Sequence, residues 1–330
     1  MAETTEISWC DSTMNPWIGC TKVSPGCDNC YAATQDKFRK WTPEGWGGPR
    51  QRTSAANWKK PLQWNRDATA FQAQHGRRQR VFCASLADVF DNEVPEEWRF
   101  DLYELWDQTP HLDWLVLTKR IGNAAKMLPW VADNDQPGCA PLPNVWLGAT
   151  IVNQEEADRD IPKLLAVPAR VRFLSCEPLL GPVDLRTLHH DGTVEINALT
   201  GDHGVTRPLA GRSDRRIDWV IVGGESGPGA RPMHPAWARS LRDQCAAADV
   251  PFHFKQWGEW AEHVGRPCGD LGGQMRRGTA QLLHAPGNPE GYFRRGDAFV
   301  ERVGKQIAGR LLDGVTHDAF PAVSADGAGG

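Results

Sequence analysis

Six short apolar runs recur along the chain: RVFCAS (80–85), DWLVLT (113–118), NVWLGATI (144–151), RVRFLSC (170–176), DWVIVGG (218–224) and PFHFKQW (251–257). Near-continuous runs of this length predict strands buried on both faces. Helical periods lie between them. PEEWRFDLYELWDQ (95–108) puts Trp98, Leu102, Leu105 and Trp106 on one face. NQEEADRDIPKLLAV (153–167) opens with Asn153 as an N-cap and Glu156 three residues on, with Pro162 as a kink point. HPAWARSLRDQCAAA (234–248) turns Trp237, Leu241 and Cys245 inward, with His234 at the helix start. Strands alternating with helices predict an α/β fold with parallel strands and right-handed crossovers. Six or seven such units suit a TIM-like βα barrel, complete or partial; a flat doubly wound sheet is the competitor. The barrel domain is then 1–257, followed by a loop-rich C-terminal extension, 258–330. Within these, 186–216 (Arg207, Arg212, Arg215, Arg216) reads as a polar insertion and 258–297 as long loops. AFVERVGKQIAGRLLDG (298–314) reads as an irregular hairpin, and AVSADGAGG (322–330) as a fraying tail.

Composition narrows the class. Of the 330 residues, 40% are hydrophobic and 24% charged, as in ordinary globular proteins. No apolar run is long enough to span a membrane, and MAETTEISWC lacks the regions of a secretory signal. Nine cysteines, six of them scattered singly, suit a reducing compartment, so a cytoplasmic location is expected. Net charge is −4, but residues 37–80 carry eleven Lys or Arg against Glu44 and Asp67, with Trp41, Trp46, Trp58 and Trp64 threaded among them. Cations interleaved with flat aromatics suit a nucleic-acid groove. Its candidates are Arg39, Lys40, Trp41, Arg50, Arg52, Trp58, Lys59 and Lys60. The plainer alternative is a solvated insertion whose tryptophans pack on the core.

In a βα barrel the chemistry sits where strands end. The predicted ends offer Ser85 and Asp88; Thr118, Lys119 and Arg120; Thr150 and Asn153; Cys176 and Glu177; Gly223, Gly224, Glu225 and Ser226; and Lys255 with Gln256. In GGES, two glycines would let a ligand approach the backbone, and the carboxylate could accept from an amine. Cys176 is a candidate substrate-facing thiol; Cys83, Cys139, Cys245 and Cys268 read as core or loop residues.

NPWIGCTKVSPGCDNCYAA (15–33) gathers Cys20, Cys27 and Cys30 around a Ser-Pro-Gly turn. Three thiolates on one loop suit a metal. With Cys10 or a histidine as fourth ligand they would make a closed zinc site. Alone they could hold a [4Fe–4S] cluster with one iron open. Spacing leaves both open.

The cysteine loop, together with VFCASLADVFD, LTKR, NVWLGATI, LSCEPLLGPVDL, DWVIVGGESGPGARPMHP, FKQWGEW and GKQIAGRLLDG, resembles a phage-associated family named for its three-cysteine motif. That family is similar in turn to radical S-adenosylmethionine enzymes. The resemblance implies a partial βα barrel and a cluster on Cys20, Cys27 and Cys30 whose open iron chelates S-adenosylmethionine. It implies hydrogen abstraction, with an electron-donor protein as partner; the basic tryptophan-rich segment and the family's phage setting together point to a nucleic acid or nucleotide as substrate, in DNA modification or repair, and any other protein partner is unspecified. Ser85, Asp88, Lys119, Gly223, Gly224, Glu225 and Ser226 would surround the cofactor, with Lys255, Glu177 and Cys176 at the substrate. The chain departs from those enzymes in spacing its cysteines by six and two rather than three and two. It also has Asn29 before the third cysteine and Tyr31 after it, and its GGE follows a later strand. Two other readings stand beside this one: a zinc-stabilised nucleic-acid-binding protein, and a divalent-metal nuclease using Asp88, Glu177 and Glu225.

Overall fold

A computed structural model describes residues 4–131, 140–190, 194–204, 215–263, 275, 278–285, 288 and 294–322. Seven strands form its main sheet: β1 (Ser12–Thr13), β2 (Gln79–Cys83), β3 (Leu112–Thr118), β4 (Val145–Thr150), β5 (Val171–Cys176), β6 (Trp219–Gly223) and β7 (Phe252–Gln256). Every neighbouring pair is parallel and the spatial order follows the sequence. The sheet curls through about 220°, a half-barrel rather than the flat competitor. The six predicted runs are β2–β7, each within two residues of its predicted ends. β1 has only two residues and gives no pattern of its own.

Alternation along the strands sorts the core into two layers. Trp9 packs on Phe82 of β2, Phe173 of β5 and Trp219 of β6, which is possible only across the concave side. Leu115, Trp146 and Ile221 share that inner layer. Gly148 of β4 also faces inward, and the Phe173 ring fills the space where its Cβ would stand. Val81, Cys83, Val116, Leu147, Leu174, Cys176, Val220 and Val222 point outward into a second layer closed by helices. These are α2 (Glu96–Asp107), α3 (Ile121–Met127), α4 (Gln154–Ala166) and α5 (Pro235–Ala247); α1 (Tyr31–Arg39) precedes them. Asn153 caps α4, its side chain accepting from the Glu156 N–H. Leu102, Trp106, Leu241 and Cys245 are buried as the helical period requires.

After β7 the chain builds a three-stranded antiparallel sheet from Trp260–Glu262, Ala280–Leu283 and Ala298–Arg302. The 298–314 stretch is therefore a strand of this sheet followed by a helical turn at Lys305–Ala308, not a hairpin on itself. Further on, Phe320 packs against Trp219 with the rings tilted, Arg80 lies over Phe320, and the Trp219 indole donates to the Ala319 carbonyl, 2.9 Å. This closes the barrel floor. In the 186–216 insertion, Leu188–His190, Val194–Asn197 and Asp202–Gly204 pair antiparallel. Arg207, Arg212, Cys139, Cys268 and the tail beyond 322 lie outside the described residues. No helix among the described residues is long and apolar enough to cross a membrane.

Candidate functional site: a cysteine strap across the strand ends

The chain between β1 and α1 crosses the carboxyl ends of the barrel strands. Gly19 bridges to Ala87 just beyond β2, and the Cys20 N–H donates to the Trp46 carbonyl, 3.2 Å. Ser24-Pro-Gly folds into a single 3₁₀ turn over Pro25–Cys27, with the Ser24 hydroxyl accepting from the Gly26 N–H. Three strand ends hold this strap. Beyond β3, Arg120 donates to Cys20 Sγ (3.2 Å), the Thr21 carbonyl (2.9 Å) and Thr21 Oγ1 (2.7 Å). At the start of α4, Glu156 accepts from the Ser24 hydroxyl, 2.6 Å. Beyond β6, Arg231 donates to the Pro25 carbonyl (2.9 Å) and Asp28 (3.2 Å), and Asn29 donates to Glu225 (3.0 Å) and the Gly229 carbonyl (2.7 Å).

Cys27 is buried; Cys20 and Cys30 are half-buried. Burial, reinforced by Asp88 and opposed by Arg120, pushes the Cys20 thiol up to about 11. Among the described residues, no group of three or more Cys, His, Asp or Glu side chains is gathered closely enough to hold a metal ion. The strap thus supplies the donor set without a ready ligand geometry. Cys10, the candidate fourth zinc ligand, is buried in the inner layer with Trp9 and Phe82, and burial pushes its thiol up.

Inside the rim, Lys255 Nζ stands 2.8 Å from a Glu177 oxygen, and Gln256 bridges the other oxygen (2.9 Å) to the Ser226 hydroxyl (3.1 Å). Gly223 leaves room for that carboxylate. Lys119 reaches the Thr150 hydroxyl, 3.3 Å, below Gly26 of the strap. Ser85 bonds to Asn15, and its carbonyl accepts from the Tyr31 hydroxyl, 2.5 Å. Tyr31 is 51% exposed as a residue, yet burial pushes its hydroxyl up. The structure therefore brings Lys255, Glu177, Ser226, Lys119 and Ser85 to one inner rim.

Other candidates take different roles. Cys176 follows the inward Ser175, so alternation turns it outward into the helix layer, where it is fully buried and cannot meet a substrate. Asp88 is buried, accepting from the Thr118 hydroxyl (2.7 Å) and the Lys119 N–H (3.0 Å); it braces the β3 end rather than facing a cofactor. Gly224 is a chain crossing, not a ligand contact: a Cβ there would overlap the Trp257 carbonyl. Glu225 is spent on the strap. Burial would raise its pKa, but hydrogen bonds from Arg231 and Asn29 outweigh that and hold the carboxyl below its ordinary range. Asp88, Glu177 and Glu225 thus each have their own partner, and the carboxylate cluster of a divalent-metal nuclease is not formed among them.

The basic insertion also divides. Arg50 is not a surface cation: it is buried in an ion pair with Asp91, at 2.7 Å. Arg52 lies over Trp58 and pairs with Asp101, 2.6 Å. Trp58 and Lys59 line a shallow groove shared with Asp101 and Glu104, while Lys60 is exposed and Trp64 is core. Arg39 and Lys40 are exposed at the end of α1, with Arg39 6.0 Å from the Trp41 ring centre. Phe38, between Lys37 and Arg39, is 83% exposed. Sequence reasoning passed over Phe38, Asn15 and Arg231: none has a spacing signal, Asn15 and Arg231 acquire their places through partners distant in sequence, and Phe38 stands out only by its exposure.

The Glu225 anchor predicts a pH effect. A carboxyl depressed in the folded state contributes stability present above its unfolded pKa, near 4.5, and lost as pH falls through the lower folded value. Hydrogen-exchange protection of the Cys27–Tyr31 amides, corrected for intrinsic rates, is expected to stay flat from about pH 7 to 5 and fall below about pH 4. A fall between pH 7 and 5 would contradict this anchor.

Parallel strands in sequence order, curled into an open half-barrel with a polar rim at their carboxyl ends, define an α/β protein of the partial βα-barrel class. The chain belongs to the family described as Protein of unknown function (DUF5131), whose model matches residues 4–321. No curated protein and no solved structure matches the chain.

Proposed function

We propose that the chain is a radical S-adenosylmethionine-type enzyme acting on a nucleic acid or nucleotide, in DNA modification or repair. The observation that carries this reading is the strap itself. Cys20, Cys27 and Cys30 lie on one segment held across the carboxyl ends of a parallel half-barrel, above a rim of Lys255, Glu177, Ser226, Lys119 and Ser85. The donor set fits a [4Fe–4S] cluster with one iron open, and a guanidinium already donates to one of its sulfurs. Holding the cluster requires the three cysteine side chains to turn within the strap. When bound, cluster and S-adenosylmethionine supply one-electron cleavage of the sulfonium, which calls for a one-electron donor protein.

The chain's own residues bind, orient and exclude water. Lys255, exchanging its bond to Glu177, can donate to a carboxylate or phosphate. Lys119 and the Thr150 hydroxyl offer a second cation and donor. The inner layer of Trp9, Trp146, Phe173 and Trp219 keeps water from the floor. Outside the rim, Phe38 offers a stacking face beside Lys37, Arg39 and Lys40, none of which is in an ion pair among the described residues.

Anaerobic reconstitution tests the reading. Iron and acid-labile sulfide are expected in the wild-type chain and the Cys10→Ser variant, and lost in Cys20→Ala, Cys27→Ala or Cys30→Ala. Zinc that survives in air, with no iron taken up, would replace this reading with the zinc-stabilised one. For the nucleic-acid surface, replacing Lys37, Arg39 and Lys40 by alanine is expected to flatten the log K against log[salt] slope for single-stranded oligonucleotides by about 2. An unchanged slope places the contact elsewhere.

A further inference from the structure

Resting on that reading for its choice of polymer, we propose that the outer face of α1 is the docking track for a single strand of nucleic acid: Phe38 stacks on an unpaired base, Lys37, Arg39 and Lys40 hold the phosphates beside it, and Tyr31 receives the strand at the barrel mouth. Phe38 is 83% exposed, more than any other large apolar residue among those described. Tyr31, the first residue of the helix, stands two turns before it, so the two aromatics share one face about 10.5 Å apart along the axis. Ala32 and Asp36 are buried on the other side. The Tyr31 hydroxyl donates to the Ser85 carbonyl, 2.5 Å, just beyond β2. The face therefore begins at the inner rim and ends among three cations. Asp36, the one acidic residue of the helix, does not neutralise them: it is turned inward, accepting from the Thr42 N–H, 3.0 Å, and from the Thr42 hydroxyl.

A protein that takes a helix in a groove reads apolar anchors at i, i+3 or i+4, and i+7. Here the middle positions are Thr34 and Gln35, both exposed, so the face lacks a continuous apolar stripe. Cations in a last turn also complement the helix dipole, but that calls for no aromatic ring held in water between them. A nucleic acid uses both groups at once: the cations meet its phosphates and the ring meets a base face. In a duplex those faces are already stacked and paired, and only groove edges and backbone are offered. An unpaired strand offers its faces, and the distance from Phe38 to Tyr31 spans about three of its stacked rises of ~3.4 Å.

The test needs no metal. It uses the full-length chain and a fluorescein-labelled oligothymidylate of about 15 nucleotides, read by fluorescence anisotropy, with folding checked by circular dichroism. Wild type is expected to bind the single strand more tightly than the same strand paired with oligoadenylate. Phe38→Ala is expected to weaken single-strand binding about tenfold and to leave the log K against log[salt] slope unchanged, because no phosphate contact is lost; Phe38→Tyr should restore the affinity. Tyr31→Leu, at the mouth, is expected to lose severalfold as well; should it not fold, the exposed Phe38 carries the test. Equal single-strand affinity in wild type and Phe38→Ala overturns the inference alone. Duplex bound as tightly as single strand, or a dimer that Phe38→Ala splits, overturns it too. Wild type that binds no strand overturns it together with the nucleic-acid substrate. A chain that binds the strand through Phe38 but takes up no iron overturns the proposed enzyme and leaves the track standing.

Discussion

The Asp91→Ala protein is expected to lose about 3–5 kcal/mol of stability, the range for removing one partner of a buried ion pair. Both members are buried, Arg50 at 1% and Asp91 at 2% side-chain exposure. Arg50 donates two bonds, 2.9 and 2.7 Å, to one Asp91 oxygen, and keeps only the Gly48 carbonyl if that oxygen is removed. Because Asp91 also faces Arg120, the loss should reach the strap as well as the fold. Chemical denaturation should show a lower midpoint with an unchanged slope. A loss below about 1 kcal/mol would mean the pair is exposed in solution. Replacing both partners by apolar residues, Arg50→Met with Asp91→Leu, should recover much of the loss, since no unpaired charge then stays in the core.

Gly224→Ala is expected to cost about 3 kcal/mol, the upper end of the range for overpacking. Most overpacked sites relax by turning a side chain. Here the added Cβ would meet the Trp257 carbonyl, and on the neighbouring strand end Gly258, at φ +83°, lies against the Glu225 backbone. Two main chains cross with no side chain to yield, so either β6 and β7 part at their ends or the variant unfolds. Gly47→Ala is the matched control: its nearest neighbour is 3.9 Å from the new Cβ, and a near-neutral effect is expected. Equal midpoints for the two variants would show that the crossing is looser than described.

Much of this fold was legible because parallel strands buried on both faces must be apolar throughout, and their helices must carry a stripe. β2–β7, α2, α4 and α5 follow from those two patterns. Cys176 could also have been placed correctly by the same alternation, since an inward Phe173 and Ser175 leave Leu174 and Cys176 facing out. β1 was not legible; two residues carry no period.

At the candidate site, the sequence by itself determined the inventory: three cysteines around a Ser-Pro-Gly turn, polar residues at successive strand ends, and a basic, tryptophan-bearing insertion. Local rules suffice for that, because strand ends and turns are read from neighbours in the chain. Only the tertiary structure decided which of those groups are free. Arg50 and Asp91, Glu225 and Asn29, Asp88 and Thr118, and Arg120 and Cys20 are each brought together by the tertiary fold, across 30 to 196 residues. A charge or thiol shows in the sequence as a residue type. Whether it is spent on another side chain or offered to a ligand depends on partners that meet only when the chain folds.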